Sequence, residues 1–149
     1  MLSSVLMYCY HNEGFGSSIL SPMSLTLIES LGTMFVDDTD IFVSLPELRD
    51  SFSVYKEMQA SMLCWGNLLC STWGALKPEK CYWYIVDCEC TDGNWGYAPM
   101  EYFDLLIPMP GKTAVVIEQL GVDEPKEMLG VWPCPSGNDD KHLDEKVLG

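Results

Sequence analysis

Asp37 and Asp38 stand side by side in the stretch GTMFVDDTDIFV, residues 32–43, and Asp40 follows just beyond. Two carboxylates about 5 Å apart repel by roughly 1 kcal/mol in water and by several times that at a partly buried site, so a fold tolerates the pair best with a cation on it. Carboxylate oxygens suit a hard divalent ion, which makes Asp37 and Asp38 candidate magnesium ligands. A calcium EF-hand is excluded by spacing. Counted from Asp38, the positions that need Gly and Glu hold Val43 and Arg49, and counted from Asp37 they hold Phe42 and Leu48.

The acids sit between Met34-Phe35-Val36 and Ile41-Phe42-Val43, aromatic and β-branched runs of the kind found in half-buried strands. Their apolar flanks need a shared buried face. Residues 32–44 are therefore expected to form two antiparallel strands with Asp37 at or beside the turn. Downstream, Ser44-Leu45-Pro46-Glu47 matches the capping box, and Leu48, Phe52, Tyr55, Met58, Met62, Trp65 and Leu69 recur every three or four residues. This pattern predicts a long amphipathic helix that starts near Ser44 and is stopped by Gly74 and Pro78.

Upstream, residues 1–10 are apolar without a start signal, as if the chain began inside a helix, and HNEGFGSSILSPMS reads as a loop with a short extended piece. The second half is mostly β. KCYWYIVDCEC reads as one strand, TDGNWGY as a turn, FDLLIPMPGKTAVVIEQL as two strands and EMLGVWPCPSGN as a last short strand and turn, before a polar tail. The predicted class is α+β, an antiparallel sheet with one carboxylate hairpin and one long covering helix, in a single domain over residues 1–149.

The chain has 149 residues and a formal charge of −14, from 8 Lys and Arg against 22 Asp and Glu. That balance argues against autonomous binding to nucleic acid or to an anionic membrane, since phosphate affinity comes chiefly from Lys and Arg. Seven cysteines fit no complete disulfide framework. The start has no basic, apolar leader pattern and no stretch reaches the length of a membrane span, so an intracellular, reducing setting is expected. Cys81, Cys88 and Cys90 lack C-x-x-C spacing and read as free buried strand thiols rather than zinc ligands. Trp65, Trp73, Trp83, Trp95 and Trp132 have no interleaved Arg or Lys and read as core and rim rather than as base-stacking platforms.

A carboxylate hairpin, a long helix, GALKPEKC entering a strand and MLGVW further on come in an order that resembles the palm of a reverse transcriptase. The resemblance is to retrotransposon-type polymerases of algal and protist genomes. It rests on FVDDTD, a helix with W-x-x-L-L, KPEKCYWY, DGNW-x-Y and LGVW-x-x-P-x-G-N, between about Gly14 and Asn138. It implies an RNA-directed DNA polymerase, a nucleotidyltransferase using two magnesium ions, with manganese as substitute, on an RNA/DNA primer-template and a deoxynucleoside triphosphate.

By the same resemblance, Asp37 is the principal metal ligand and Asp38 assists it. Phe35 and Val36 lie beside the primer terminus, Leu129 and Gly130 grip the primer, and Lys80 sits near the departing pyrophosphate, with Lys77 an equal candidate. Asp40 is expected to face solvent or to support the ligands from behind. The family's upstream aspartate strand and Gly-rich segment have no recognisable counterpart between residues 1 and 32, and no fingers or thumb region is expected within these residues. This chain alone is therefore expected to be an inactive fragment that binds metal weakly. Two further readings stand beside it: a non-catalytic acidic interaction module or retroelement relic, and an unrelated acidic β-rich domain. Where relatives carry Gly-Gly after the helix, this chain has Trp73-Gly74.

The charge balance carries its own test. At physiological salt the 149-residue chain is expected to give no measurable fluorescence-anisotropy change with a labelled primer-template duplex, because each phosphate contact needs a cationic partner. Micromolar binding would contradict it.

Overall fold

The computed structural model describes residues 2–35, 38–45, 50–109, 111, 113–127 and 134–137. The apolar start is a helix, α1 (Leu2–Asn12), which ends as the chain turns through Gly14 and Gly16. A hairpin follows, β1 (Ser17–Leu20) paired antiparallel with β2 (Leu27–Ser30). Next come β3 (Gly32–Phe35) and β4 (Asp38–Ile41), antiparallel, with Phe35 opposite Asp38 and Gly32 opposite Ile41. The expected pairing of the carboxylate segment is thus observed.

The long helix, α2 (Ser51–Ser71), begins later than the capping-box reading placed it. Asp50 is extended, with φ −68° and ψ 157°, and its carboxylate accepts the Ser53 N–H at 2.8 Å. Residues 46–49 lie outside the described residues. A helix started at Ser44 could not run through the extended Asp50, and the Asp50 carboxylate satisfies an N–H that the first turn leaves without an intrahelical partner.

At the other end, Trp73 N–H bonds Cys70 C=O at 3.1 Å and Gly74 N–H bonds Leu69 C=O at 2.9 Å, the paired bonds of a Schellman stop. The residue in the left-handed conformation is Trp73, φ 63°, where glycine usually stands. The helix therefore ends at Ser71, three residues before the predicted breaker, because Trp73 has already reversed the backbone hand.

After a 3-10 turn at Pro78–Lys80 the segment expected as one strand divides into β5 (Tyr82–Tyr84) and β6 (Cys88–Thr91). The two belong to different sheets. β6 pairs antiparallel with β7 (Asn94–Tyr97) around Asp92 and Gly93, both at positive φ, the backbone of a type I′ hairpin turn. β5 lies in a three-stranded sheet of order β5-β9-β8, with β8 (Leu105–Ile107) and β9 (Val115–Leu120). β9 is antiparallel to β8 and parallel to β5, so the expected all-antiparallel sheet is corrected to a mixed one. The chain between β5 and β9 includes the β6–β7 hairpin and β8, which is enough to bring β5 back alongside β9 in the same direction. The described structure is α+β. The predicted last strand falls at 128–133 and the polar tail at 138–149, outside the described residues.

Two apolar clusters hold these elements. Met62 of α2 packs with Trp83, Leu105, Ile107 and Ile117 of the three-stranded sheet. Trp65, one turn further, packs with Leu6 and Tyr10 of α1. Tyr10 is fully buried, its hydroxyl hydrogen-bonded to that of Ser61, and burial pushes its pKa up to about 12. The expected helix stripe thus faces two partners: its middle meets the sheet and its C-terminal half meets α1. Among the tryptophans expected as core and rim, Trp65 and Trp83 are buried whereas Trp73 and Trp95 are exposed.

Trp73 is 99% exposed and so contributes a left-handed L-residue without packing. Trp73→Gly is expected to stabilise the fold by roughly 0.5–1 kcal/mol, the cost of a side chain in that region less the extra chain entropy glycine loses. The midpoint of thermal unfolding rises by a few degrees, while Trp73→Ala, which keeps the Cβ, gives no such gain.

Candidate functional site

The carboxylate hairpin is built on a close backbone approach at its base. A Cβ on Gly32 would lie 2.0 Å from the Asp40 carbonyl oxygen, so only glycine fits where β3 leaves β2 and meets β4. Across the same pair of strands Thr33 Oγ1 donates to Asp40 Oδ2 at 2.9 Å. Asp40 is therefore engaged with its cross-strand neighbour and half-buried.

Ile41, at the end of β4, packs against both apolar clusters. Leu76, just before the lysine turn, does the same. The hairpin and the GALKPEKC segment are thus anchored to the same seam between the clusters. In the turn itself, Lys80 N–H bonds Lys77 C=O at 2.9 Å and Cys81 N–H bonds Pro78 C=O at 3.0 Å. Lys77 and Lys80 are both exposed, so the local structure leaves them equivalent in access.

Of the residues expected in the site, Phe35 and Asp38 are paired backbone positions at the ends of β3 and β4. Val36 and Asp37 come between them in the chain and lie outside the described residues, as do Leu129 and Gly130. Among the described residues, no three His, Cys, Asp or Glu side chains converge as a metal-holding group.

The cysteines depart from expectation. Cys88 and Cys90 are exposed rather than buried, as is every residue of the two strands of the β6–β7 hairpin on which they stand. Cys81 fits the expectation better: it is half-buried, burial pushes its thiol pKa up, and its Sγ donates to Lys77 C=O at 3.2 Å.

Sequence reasoning also missed a cleft of about 310 Å³ whose walls include Asp87, Glu101, Asp123 and Glu124. It lies where the chain enters β6 and leaves β7 and β9, and no expected catalytic residue lines it. Part of its acidity serves the fold, since Glu124 Oε2 accepts the Gly121 N–H at 2.7 Å. The sequence signal was available in acids placed just outside strand ends, but these four are far apart in the chain. Gly32 was legible in hindsight as a glycine opening an apolar run, the usual mark of a close backbone approach.

Gly32→Ala tests the base of the hairpin. With its Cβ directed at backbone rather than at a flexible side chain, the substitution is expected to cost at least about 2 kcal/mol and to disperse the amide resonances of residues 32–41 first. Denaturant unfolding and an amide correlation spectrum measure it, and unchanged spectra would show that β3 and β4 meet differently.

Among the membrane-relevant features, no helix of the described residues is long and apolar enough to cross a membrane. No protein-family model matches the chain, and neither a curated protein nor a solved structure matches it.

Proposed function

We propose that this chain is the palm portion of a retrotransposon-type reverse transcriptase, an RNA-directed DNA polymerase. What supports the reading is a succession: a carboxylate-bearing antiparallel hairpin, a 21-residue helix, a lysine-bearing turn, and a sheet that the helix covers. The donor set suits magnesium, since Asp37 and Asp38 bring hard oxygen ligands, Asp38 as the first residue of β4 and Asp37 as its neighbour in the sequence. When bound, such ions activate the primer 3′-hydroxyl and neutralise the triphosphate.

The chain's own residues then have distinct tasks. Asp37 holds the ion and Asp38 assists. Phe35 and Val36 border the primer terminus, and Leu129 and Gly130 contact the primer strand further along. Lys80, or Lys77 in its place, offers an ammonium to the departing pyrophosphate, where a positioned cation neutralises developing charge or supplies a proton. Two adjacent carboxylates complete neither of two octahedral shells, so these 149 residues by themselves bind the metal loosely and extend no primer. A second reading, a non-catalytic acidic interaction module derived from such an element, is favoured by the acidic cleft and by the apolar surface of β1 and β2.

Titrating the chain with Mn²⁺ while following paramagnetic broadening separates the two. The polymerase reading expects millimolar binding with broadening centred on residues 35–40, lost in Asp37→Asn, and no product in a parallel primer-extension gel. Broadening centred instead on the acidic cleft, or unchanged by Asp37→Asn, would remove Asp37 as a ligand and favour the interaction module. Nucleotide incorporation would show that the aspartate of the family's upstream strand is dispensable.

A further inference from the structure

The β6–β7 hairpin gathers two thiols on one face. Side chains alternate along a strand, so Cys88 and Cys90 point one way and Glu89 and Thr91 the other. Register sets Tyr97 opposite Cys88 and Trp95 opposite Cys90. Just outside the strands, Ala98 N–H bonds Asp87 C=O at 2.9 Å, which makes Asp87 and Ala98 a hydrogen-bonded pair. Pairs alternate from there, so Cys88 with Tyr97 and Cys90 with Trp95 are the non-hydrogen-bonded ones, where facing side chains stand closest. One face of the two strands thus carries Cys-x-Cys against Trp-x-Tyr, with its charged residue, Glu89, on the other face. All four side chains are accessible, Trp95 at 77% and Tyr97 at 42% exposure.

Two residues apart on a strand, the Cα atoms lie about 6.8 Å from each other, the far end of the disulfide range. A metal suits this spacing better. With metal–sulfur bonds of about 2.3 Å, an ion that takes two ligands in line holds its sulfurs about 4.6 Å apart, a gap that two Cys side chains leaning together span. Zinc wants four ligands, and among the described residues no third His, Cys, Asp or Glu converges on the pair. Two soft thiolates without further donors suit a monovalent ion such as Cu(I), and Trp95 offers an aromatic face to a cation held at Cys90. The other thiols are less fit. Burial pushes the Cys64 and Cys81 thiols up, which withholds thiolate, and Cys9 has only Cys64 within electrostatic reach as a thiol partner. Cys70 is exposed at the end of α2.

We propose that Cys88 and Cys90 form a two-thiolate site for a soft monovalent cation of the Cu(I) class on the open face of the β6–β7 hairpin. Each thiol gives up its proton as its sulfur bonds the ion, so two protons pass to solvent for each Cu(I) bound and no electron is transferred. Occupancy rises with pH, since protons compete for both sulfurs. The site is distinct from the hard oxygen donors at Asp37 and Asp38 and rests on nothing in the polymerase reading.

Anaerobic titration of the freshly reduced full chain into Cu(I) held by bicinchoninate, with ascorbate present, tests this through the loss of the complex's colour. One ion per chain is expected to transfer, with two protons released per ion and shifts confined to the amide resonances around residues 88–97. Cys88→Ser and Cys90→Ser are each expected to weaken uptake by at least about tenfold, because the remaining thiol loses a partner held at millimolar effective concentration. Both positions are exposed, so the thermal unfolding midpoint holds. Cys70→Ser, equally exposed, and Cys64→Ser, which breaks the Cys9–Cys64 pair, are expected to leave uptake unchanged. No uptake by the reduced chain, or uptake indifferent to Cys88→Ser and Cys90→Ser, would overturn the proposal. So would uptake reduced as much by Cys70→Ser or Cys64→Ser, since that marks unspecific binding to thiols.

Discussion

One side-chain amide sets where the long helix sits on the sheet. Gln59 of α2 donates through Nε2 to Leu106 C=O and accepts through Oε1 from Leu106 N–H, each at 2.8 Å. It pairs with the outer edge of β8 as a neighbouring strand residue would, and so satisfies backbone groups that an edge strand otherwise exposes. With that register held, Met62 one turn on reaches Trp83, Leu105 and Ile117, and Trp65 reaches Leu6 and Tyr10. Tyr55 stacks on Phe103 with ring centroids 4.8 Å apart and its hydroxyl donates to Asp104 C=O at 3.1 Å, which secures the chain entering the same strand.

A second glutamine does comparable work on the far side of β8. Gln119 donates to Glu101 C=O and accepts from Phe103 N–H, both at 2.7 Å, so the irregular segment before β8 has its backbone groups paired. Between the two clusters that α2 separates, Ile41 and Leu76 lie in the seam. The carboxylate hairpin and the segment leading into the lysine turn are therefore anchored on the same two clusters.

The exposed parts contrast with this centre. Both two-stranded hairpins at β1–β2 and β6–β7 present apolar side chains to solvent, and Trp73 stands free after the helix in a conformation that suits glycine.

Much of this was readable from the residues alone, and for identifiable reasons. The stripe from Phe52 to Leu69 has helical period, and the apolar runs on either side of the aspartates predict the β3–β4 pairing, because both signals are local. Asp-Gly at residues 92 and 93 likewise announced its turn. The true helix cap, Asp50, lost to a better-looking capping box at Ser44, since a side-chain cap depends on local backbone angles that several nearby residues can compete for. What only the tertiary structure decided is non-local: that KCYWYIVDCEC divides between two sheets, that β5 runs parallel to β9, and that Ile41 and Leu76 share one seam. Those outcomes depend on which distant segments bury one another, and sequence periodicity carries only the face a residue turns to the core, not the partner it meets there.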